Sequence, residues 1–274
     1  MGIRQVIKKV VNVGLATLDL QVNRRTSQDL QAEHFRLTME GALEHAKKLG
    51  CKPATVLDVG AAHGLIYLYD AFPEARHILI EPLEENRVYL EKLTHQYQNL
   101  QYVSAVAGRQ AGKATLHVHP DLLGSSLFLE EEDSDVNGTP VEVEVVTLDE
   151  LCAARNCKPP YLIKIDTQGA ELEVLAGAMQ VLEETELLLL EVSLFRFFRG
   201  GPLFHDVIAY MKERGFVVYD ILDFCYRPLD GALCQVNLVF VKDTGRFREH
   251  HFYATKEQRQ QHTKALLDEY KNIK

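Results

Sequence analysis

Four acidic residues, Asp58, Glu81, Asp166 and Glu191, stand at or beside the ends of short apolar runs. In an open parallel sheet those ends are where ligands bind. After Thr55-Val56-Leu57 the chain reads Asp58-Val59-Gly60-Ala61-Ala62-His63-Gly64. Gly60 and Gly64 permit a tight turn and close backbone approach, ahead of a helix whose first N–H groups are free to meet a ligand. The pattern departs from the G-x-G-x-x-G dinucleotide turn, because Ala62 replaces the second glycine and the third is mistimed. A pyrophosphate cradle is therefore disfavoured, and a carboxylate at Asp58 repels phosphate while favouring a cationic group. Glu81 can accept two hydrogen bonds from a ribose diol. Adenosine with a cationic tail and no phosphate is S-adenosylmethionine, the cofactor these residues imply.

The elements that must position these residues alternate. Thr55 to Val59 reads as a strand, followed by a glycine turn and a helix that Pro73 ends. His77 to Ile80 reads as the next strand, Leu83 to His95 as its helix, and Leu100 to Val106 as a third strand. Such alternation calls for a parallel sheet covered on both faces, an α/β doubly wound architecture. The rhythm breaks where Ala114 to His119 and Val141 to Thr147 alternate apolar and polar residues around the acidic loop Glu130 to Asp135, an insertion. It returns with the strand Tyr161 to Ile165, a helix from about Ala170 to Leu182, the strand Glu186 to Val192 and the helix Phe204 to Arg214. Strands near Val217 to Leu222 and Gln235 to Val241 and a charged helix from about Thr255 to Tyr270 follow. Before all of these, Ile3, Val6, Ile7, Val10 and Leu18 sit at helical spacing opposite Arg4, Lys8 and Lys9. A second helix is expected from Thr26, in capping-box spacing with Asp29, to Gly50.

The 274 residues carry 30 Lys plus Arg against 39 Asp plus Glu, a formal net charge of -9, which lacks the basic footprint of a general nucleic-acid binder. With 46% hydrophobic and 25% charged residues the chain has the composition of a globular protein. No uncharged apolar stretch approaches the roughly 20 residues of a membrane-spanning helix, so no transmembrane segment is expected. The basic start resembles a secretion signal only superficially, since Asn12 and Asp19 interrupt its apolar patch and no small-residue cleavage site follows. Five cysteines without a C-x-x-C pair indicate neither a zinc knuckle nor a disulfide framework, and a reducing cytoplasmic setting is expected.

Asp58 to Gly64, Ile80-Glu81-Pro82, Val146-Thr147-Leu148-Asp149-Glu150-Leu151 and the block Ile163-Lys164-Ile165-Asp166-Thr167-Gln168-Gly169-Ala170-Glu171-Leu172-Glu173-Val174-Leu175-Ala176-Gly177-Ala178 together resemble the FkbM family of S-adenosylmethionine-dependent methyltransferases. The resemblance covers roughly residues 54 to 242. It implies a class I methyltransferase sheet of seven strands with the last antiparallel, and transfer to a hydroxyl of a sugar, glycan or secondary metabolite. It implies that Asp58 with the turn Gly60, Ala61, Ala62 and Gly64 holds the methionine end of the cofactor. Glu81, next to Pro82, would hold the ribose, Ser104 with Ala105 the adenine edge, and Asp166 the methyl side. Ala62 stands where the family commonly has asparagine and Asn237 where aspartate is frequent, so a hydrogen bond is missing or rerouted at each place.

Methyl transfer is dominated by positioning, with a base needed only for the hydroxyl proton. The base candidates are Asp166, Glu191, His63 and His205. Each has a plain alternative: Asp166 as a helix N-cap, Glu191 as a strand-end acid that must be paired or wet, and the histidines as surface groups. His117 and His119 share a strand face but find no third ligand at suggestive spacing, so no metal site is expected. The nearest alternative is Mg²⁺ shared by Asp166 and Glu191 with substrate hydroxyls. Glu171 and Glu173 suit an early helical turn, and Lys164, inside a strand, needs a partner that the sequence does not name. Residues 1–53 are expected to form an N-terminal helical extension, 54–242 the methyltransferase domain and 243–274 a C-terminal helical tail. The expected partner is a small-molecule or carbohydrate acceptor, with specificity in the insertion Ala111 to Val141, the loop Phe195 to Pro202 and the N-terminal helices. Those helices could also join a homo-oligomer. A non-catalytic scaffold keeping the same fold is the competing reading, and a nicotinamide-dependent oxidoreductase is disfavoured by the glycine pattern.

Overall fold

A computed structural model describes residues 36–131 and 136–272. Residues Arg36–His251 form one compact unit. Its strands are β1 (Thr55–Val59), β2 (Arg76–Ile80), β3 (Leu100–Val103), β4 (Val106–Ala107), β5 (Gly112–Val118), β6 (Thr139–Val146), β7 (Tyr161–Ile165), β8 (Thr185–Ser193), β9 (Phe216–Tyr226) and β10 (Leu233–Lys242). Its helices are α1 (Met39–Lys48), α2 (Ile66–Ala71), α3 (Glu84–Gln96), α4 (Leu148–Ala154), α5 (Glu171–Ala176), α6 (Met179–Glu183) and α7 (Phe204–Glu213).

Seven strands form one sheet in the order β3-β2-β1-β7-β8-β10-β9. The first five lie parallel, and β10 runs antiparallel between β8 and β9. This is the expected doubly wound class I arrangement with its last strand antiparallel. Every residue of β1 and of β7 is buried, as strands covered on both faces must be. Side chains alternate between two cores. Leu57, Val59, Ile163, Ile165, Leu188 and Leu190 pack under α4, α5, α6 and α7, while Val56, Leu79, Leu162, Leu187 and Leu189 pack under α1, α2 and α3. Truncating one such leucine to alanine costs about 2 to 5 kcal/mol. The order of the sheet reverses between β1 and β7, so the crevice beyond their carboxyl ends is the natural ligand site.

The insertion is a second sheet, β4-β6-β5, whose β5 and β6 pair antiparallel. Four expectations are corrected. The single strand Leu100 to Val106 breaks after Val103, and Val106 and Ala107 leave the main sheet to pair with β6. The helix expected from Ala170 to Leu182 is two, α5 and α6, separated at Gly177. A Cβ on Gly177 would lie 2.1 Å from the carbonyl oxygen of Gly108, so this close approach demands glycine. The helix ending at Gly50 starts at Met39, with the Thr38 side chain accepting from the Gly41 N–H, while Thr26 lies outside the described residues. The strand near Val217 to Leu222 runs on to Tyr226, paired along β10. The helix read over residues 3 to 18 also lies outside the described residues.

Residues from Phe252 on fall in a second unit. Its described helix, α8 (Lys256–Asn272), opens with a reciprocal cap in which Thr255 Oγ1 accepts from the Gln258 N–H and Gln258 Oε1 from the Thr255 N–H. No helix among the described residues is long and apolar enough to cross a membrane.

Candidate active site

β1 and β7 pair in register so that Asp58 faces Lys164 on one side of the sheet. Both are buried, where an ionised side chain is tolerated only with partners. Lys164 Nζ donates to the carbonyl of Gly60 at 2.7 Å and lies 3.4 Å from Asp58 Oδ1 and 3.7 Å from Asp166 Oδ2. Burial alone would push this ammonium down, but the two carboxylates outweigh it and hold its pKa above the ordinary lysine value. The other oxygen of Asp58 accepts from the Tyr69 hydroxyl at 2.6 Å, and that hydroxyl accepts from the Leu65 N–H. Burial, and then Asp58, raises the Tyr69 pKa. This cluster is the partner that Lys164 required.

Above it, at the carboxyl ends of β1, β2, β7 and β8, lies a cavity of about 250 Å³. Glu81 lines it, with Oε2 accepting from the Ala62 N–H and Oε1 from the Leu83 N–H, both at 2.9 Å. Glu81 thus ties the turn after β1 to the start of α3. Ala62 stands at φ 46, a left-handed conformation that asparagine tolerates better than alanine. The family's usual residue fits that backbone. Asn237, the other departure, donates to Asp223 Oδ2 at 3.1 Å within the sheet.

Asp166 and Glu191 both line the cavity and are bridged by Gln168, whose Nε2 donates to Asp166 Oδ1 at 2.9 Å and to Glu191 Oε2 at 2.8 Å. Gln235 donates to the same Glu191 oxygen at 3.1 Å. Burial, followed by the charge of Asp166, pushes the Glu191 pKa up to about 8. Next to this pair, buried Glu171 accepts from the N–H groups of Thr167 and Gly169, and burial pushes its pKa up to about 7. Glu171 is thus the internal cap of the turn after β7, whereas Glu173 pairs with Arg109 at 2.8 Å.

Of the other residues singled out from sequence, Gly60, Ala62, Pro82 and Ala105 line the cavity. Asp58, Ala61 and Gly64 stand behind the wall. Gly64 has a left-handed φ of 87 that favours glycine, and a Cβ there would lie 2.4 Å from Leu93 Cδ1, so that side chain would have to shift. Ser104 opens instead on a neighbouring groove shared with Pro82, Leu83 and Ala105. His63 is exposed, edge-on to Tyr89 at 4.7 Å, and His205 is exposed at the start of α7 beside Asp206. Neither histidine lines the cavity. His119 pairs with Asp121 at 2.8 Å, and no group of three or more metal-ligating side chains is found among the described residues.

The insertion contributes the apolar wall Leu116, Leu122, Leu123 and Leu127. It is stitched to the loop Phe195 to Pro202 by backbone bonds from Glu131 to Phe197 and from Arg199 to Leu129. Two lining residues escape a reading of strand ends. Gln168 lies within the motif block, between Thr167 and Gly169. Asn86 lies in the first turn of α3, buried, with an Oδ1 that has no hydrogen-bond partner. A polar residue on the buried side of that helix was the available signal.

The family model described as the Methyltransferase FkbM domain matches residues 58–218. No curated protein matches the sequence. Among solved structures, the chain is similar to magnesium protoporphyrin IX methyltransferase from Synechocystis, at 10% identity over 88% of this chain and 98% of that one, with a TM-score of 0.40. It is also similar to the 1,6-didemethyltoxoflavin-N1-methyltransferase of Burkholderia thailandensis, at 13% identity over 74% of this chain and 77% of that one, with a TM-score of 0.40.

Proposed function

The chain belongs to the FkbM-domain methyltransferase family, which uses S-adenosylmethionine, and from that premise we propose that it methylates a hydroxyl oxygen of a sugar, glycan or secondary metabolite. The observation that carries this reading is that one cavity is lined by Glu81, by Asn86 and by the Asp166–Glu191 pair.

The residues present fit the cofactor. Each Glu81 oxygen accepts one backbone N–H, which leaves lone pairs for the two ribose hydroxyls. The unpartnered Asn86 Oδ1 is an acceptor for a donor on the adenosyl group. Asp58 and Asp166 against Lys164 leave the adjoining cluster a net negative charge, which suits a cationic ligand. When bound, S-adenosylmethionine supplies a methyl group activated by its sulfonium.

The chain's own residues then have separate tasks. Asp166 receives the acceptor's hydroxyl proton as the new oxygen–carbon bond forms. Glu191, held near pH 7 in its protonated form, donates a hydrogen bond to the acceptor and orients it. The leucines of the insertion exclude water from the reacting oxygen. A screen of hydroxylated acceptors with methyl-labelled cofactor tests this reading. Label transferred to oxygen supports it, and label found only on nitrogen or carbon acceptors contradicts it.

A further inference from the structure

We propose that Gln168 is a positioning residue, whose side-chain amide holds Asp166 and Glu191 together as one proton-handling unit on the cavity wall. The proposal rests on the methyltransferase reading for its consequence, while the geometry stands by itself. Gln168 has a backbone φ of 51, a left-handed conformation that glycine or asparagine adopts at less cost. The chain accepts that strain and places a side-chain amide, whose NH₂ carries two hydrogens, between two carboxylates. One goes to Asp166 at 2.9 Å and one to Glu191 at 2.8 Å. Its backbone is also tied down, since the Ser126 hydroxyl donates to the Gln168 carbonyl at 2.6 Å, and Ser126 is bridged to His117 of β5. The insertion that walls the acceptor side thereby fixes the residue that spaces the two acids.

Without Gln168, Glu191 keeps its direct contact with Asp166 and the Gln235 amide, and the repulsion between the two acids when both are ionised favours tighter retention of a proton on Glu191. With it, Asp166 stays free to receive a proton and Glu191 stays in place to give a hydrogen bond. Among the described residues, the charged or polar groups around Glu191 include Asp166 and Lys164 from β7 and its end, Gln168, Glu171 of α5, and Gln235 and the register partner Asn237 of β10.

The test uses the full chain labelled with ¹³C at the glutamate carboxyls and titrated by NMR, the Glu191 signal being identified by its absence in Glu191→Gln. Gln168→Gly relieves the backbone and removes only the amide; Gln168→Asn also tolerates the backbone but is too short to bridge. Gln168 donates to the charged form of Glu191, so both variants are expected to move the Glu191 titration upward by about one unit. A merely structural role predicts no such movement. Variants that titrate as wild type overturn the proposal. Calorimetry with S-adenosylhomocysteine on the same samples separates the two claims: heat from wild type and both variants supports a role confined to the acids. No heat from wild type overturns the methyltransferase reading and with it the catalytic meaning of the bridge, while the titration still reports whether the bridge exists.

Discussion

Asp58 and Lys164 are register partners on adjacent central strands, and their side chains lie 3.4 Å apart in the buried layer behind the cavity wall. The pair explains why a lysine interrupts an otherwise apolar strand. It joins the turn after β1, through the Gly60 carbonyl, to the acid at the end of β7.

Removing one partner leaves the other buried and uncompensated. Lys164→Met is expected to lower stability by about 3 to 5 kcal/mol, and adding Asp58→Asn to recover part of that loss. Urea denaturation of both single variants and the double checks this; strictly additive losses would show that the two charges do not act as a pair.

Asp166 is expected to matter for turnover more than for cofactor affinity. With an acceptor from the labelled-methyl screen, Asp166→Asn should reduce kcat about 10²- to 10⁴-fold and leave the affinity for S-adenosylhomocysteine nearly unchanged. Retention of more than about half of the wild-type rate would transfer the base role to another group.

Stability should fall as pH rises from mildly acidic to neutral. The folded chain holds a proton on Glu171 up to about pH 7 and on Glu191 up to about pH 8, while the unfolded chain releases both near the ordinary 4.5. In that window the native state binds more protons, so raising pH favours unfolding. Glu171→Gln keeps an acceptor for the turn and should flatten the dependence between pH 5 and 7 in denaturant titrations. An unchanged slope would mean that Glu171 is ionised in the native state.

Much of this was legible in the chain. The alternation of apolar runs and helices fixes the sheet, and Asp58, Glu81, Asp166 and Glu191 could be placed because strand ends are where parallel sheets bind ligands. What escaped depends on contacts between segments distant in sequence. The break at Gly177 is set by Gly108, and the departure of Val106 from the main sheet by pairing with β6. Periodicity over one window carries neither signal. Asp58 drew attention as a ligand contact, yet it lies behind the wall with Tyr69 and Lys164, because the partner that neutralises it sits on another strand.

The left-handed Ala62 gives a stability prediction of its own. Ala62→Gly is expected to raise stability by about 1 kcal/mol, a rise of roughly 2 to 4 °C in Tm, with the N–H bond to Glu81 kept. A fall in Tm would indicate that the alanine methyl contributes packing that outweighs its backbone strain.

The central claim, an adenosyl site built around Glu81, is tested most directly by titration calorimetry with S-adenosylhomocysteine on wild type and Glu81→Ala. The account predicts saturable binding to wild type and a loss of about 1.5 to 3 kcal/mol in the variant, roughly 10- to 150-fold in Kd, because charge-assisted bonds to the ribose hydroxyls disappear. Absence of heat with wild type well above micromolar ligand, or equal affinity in the variant, would contradict it.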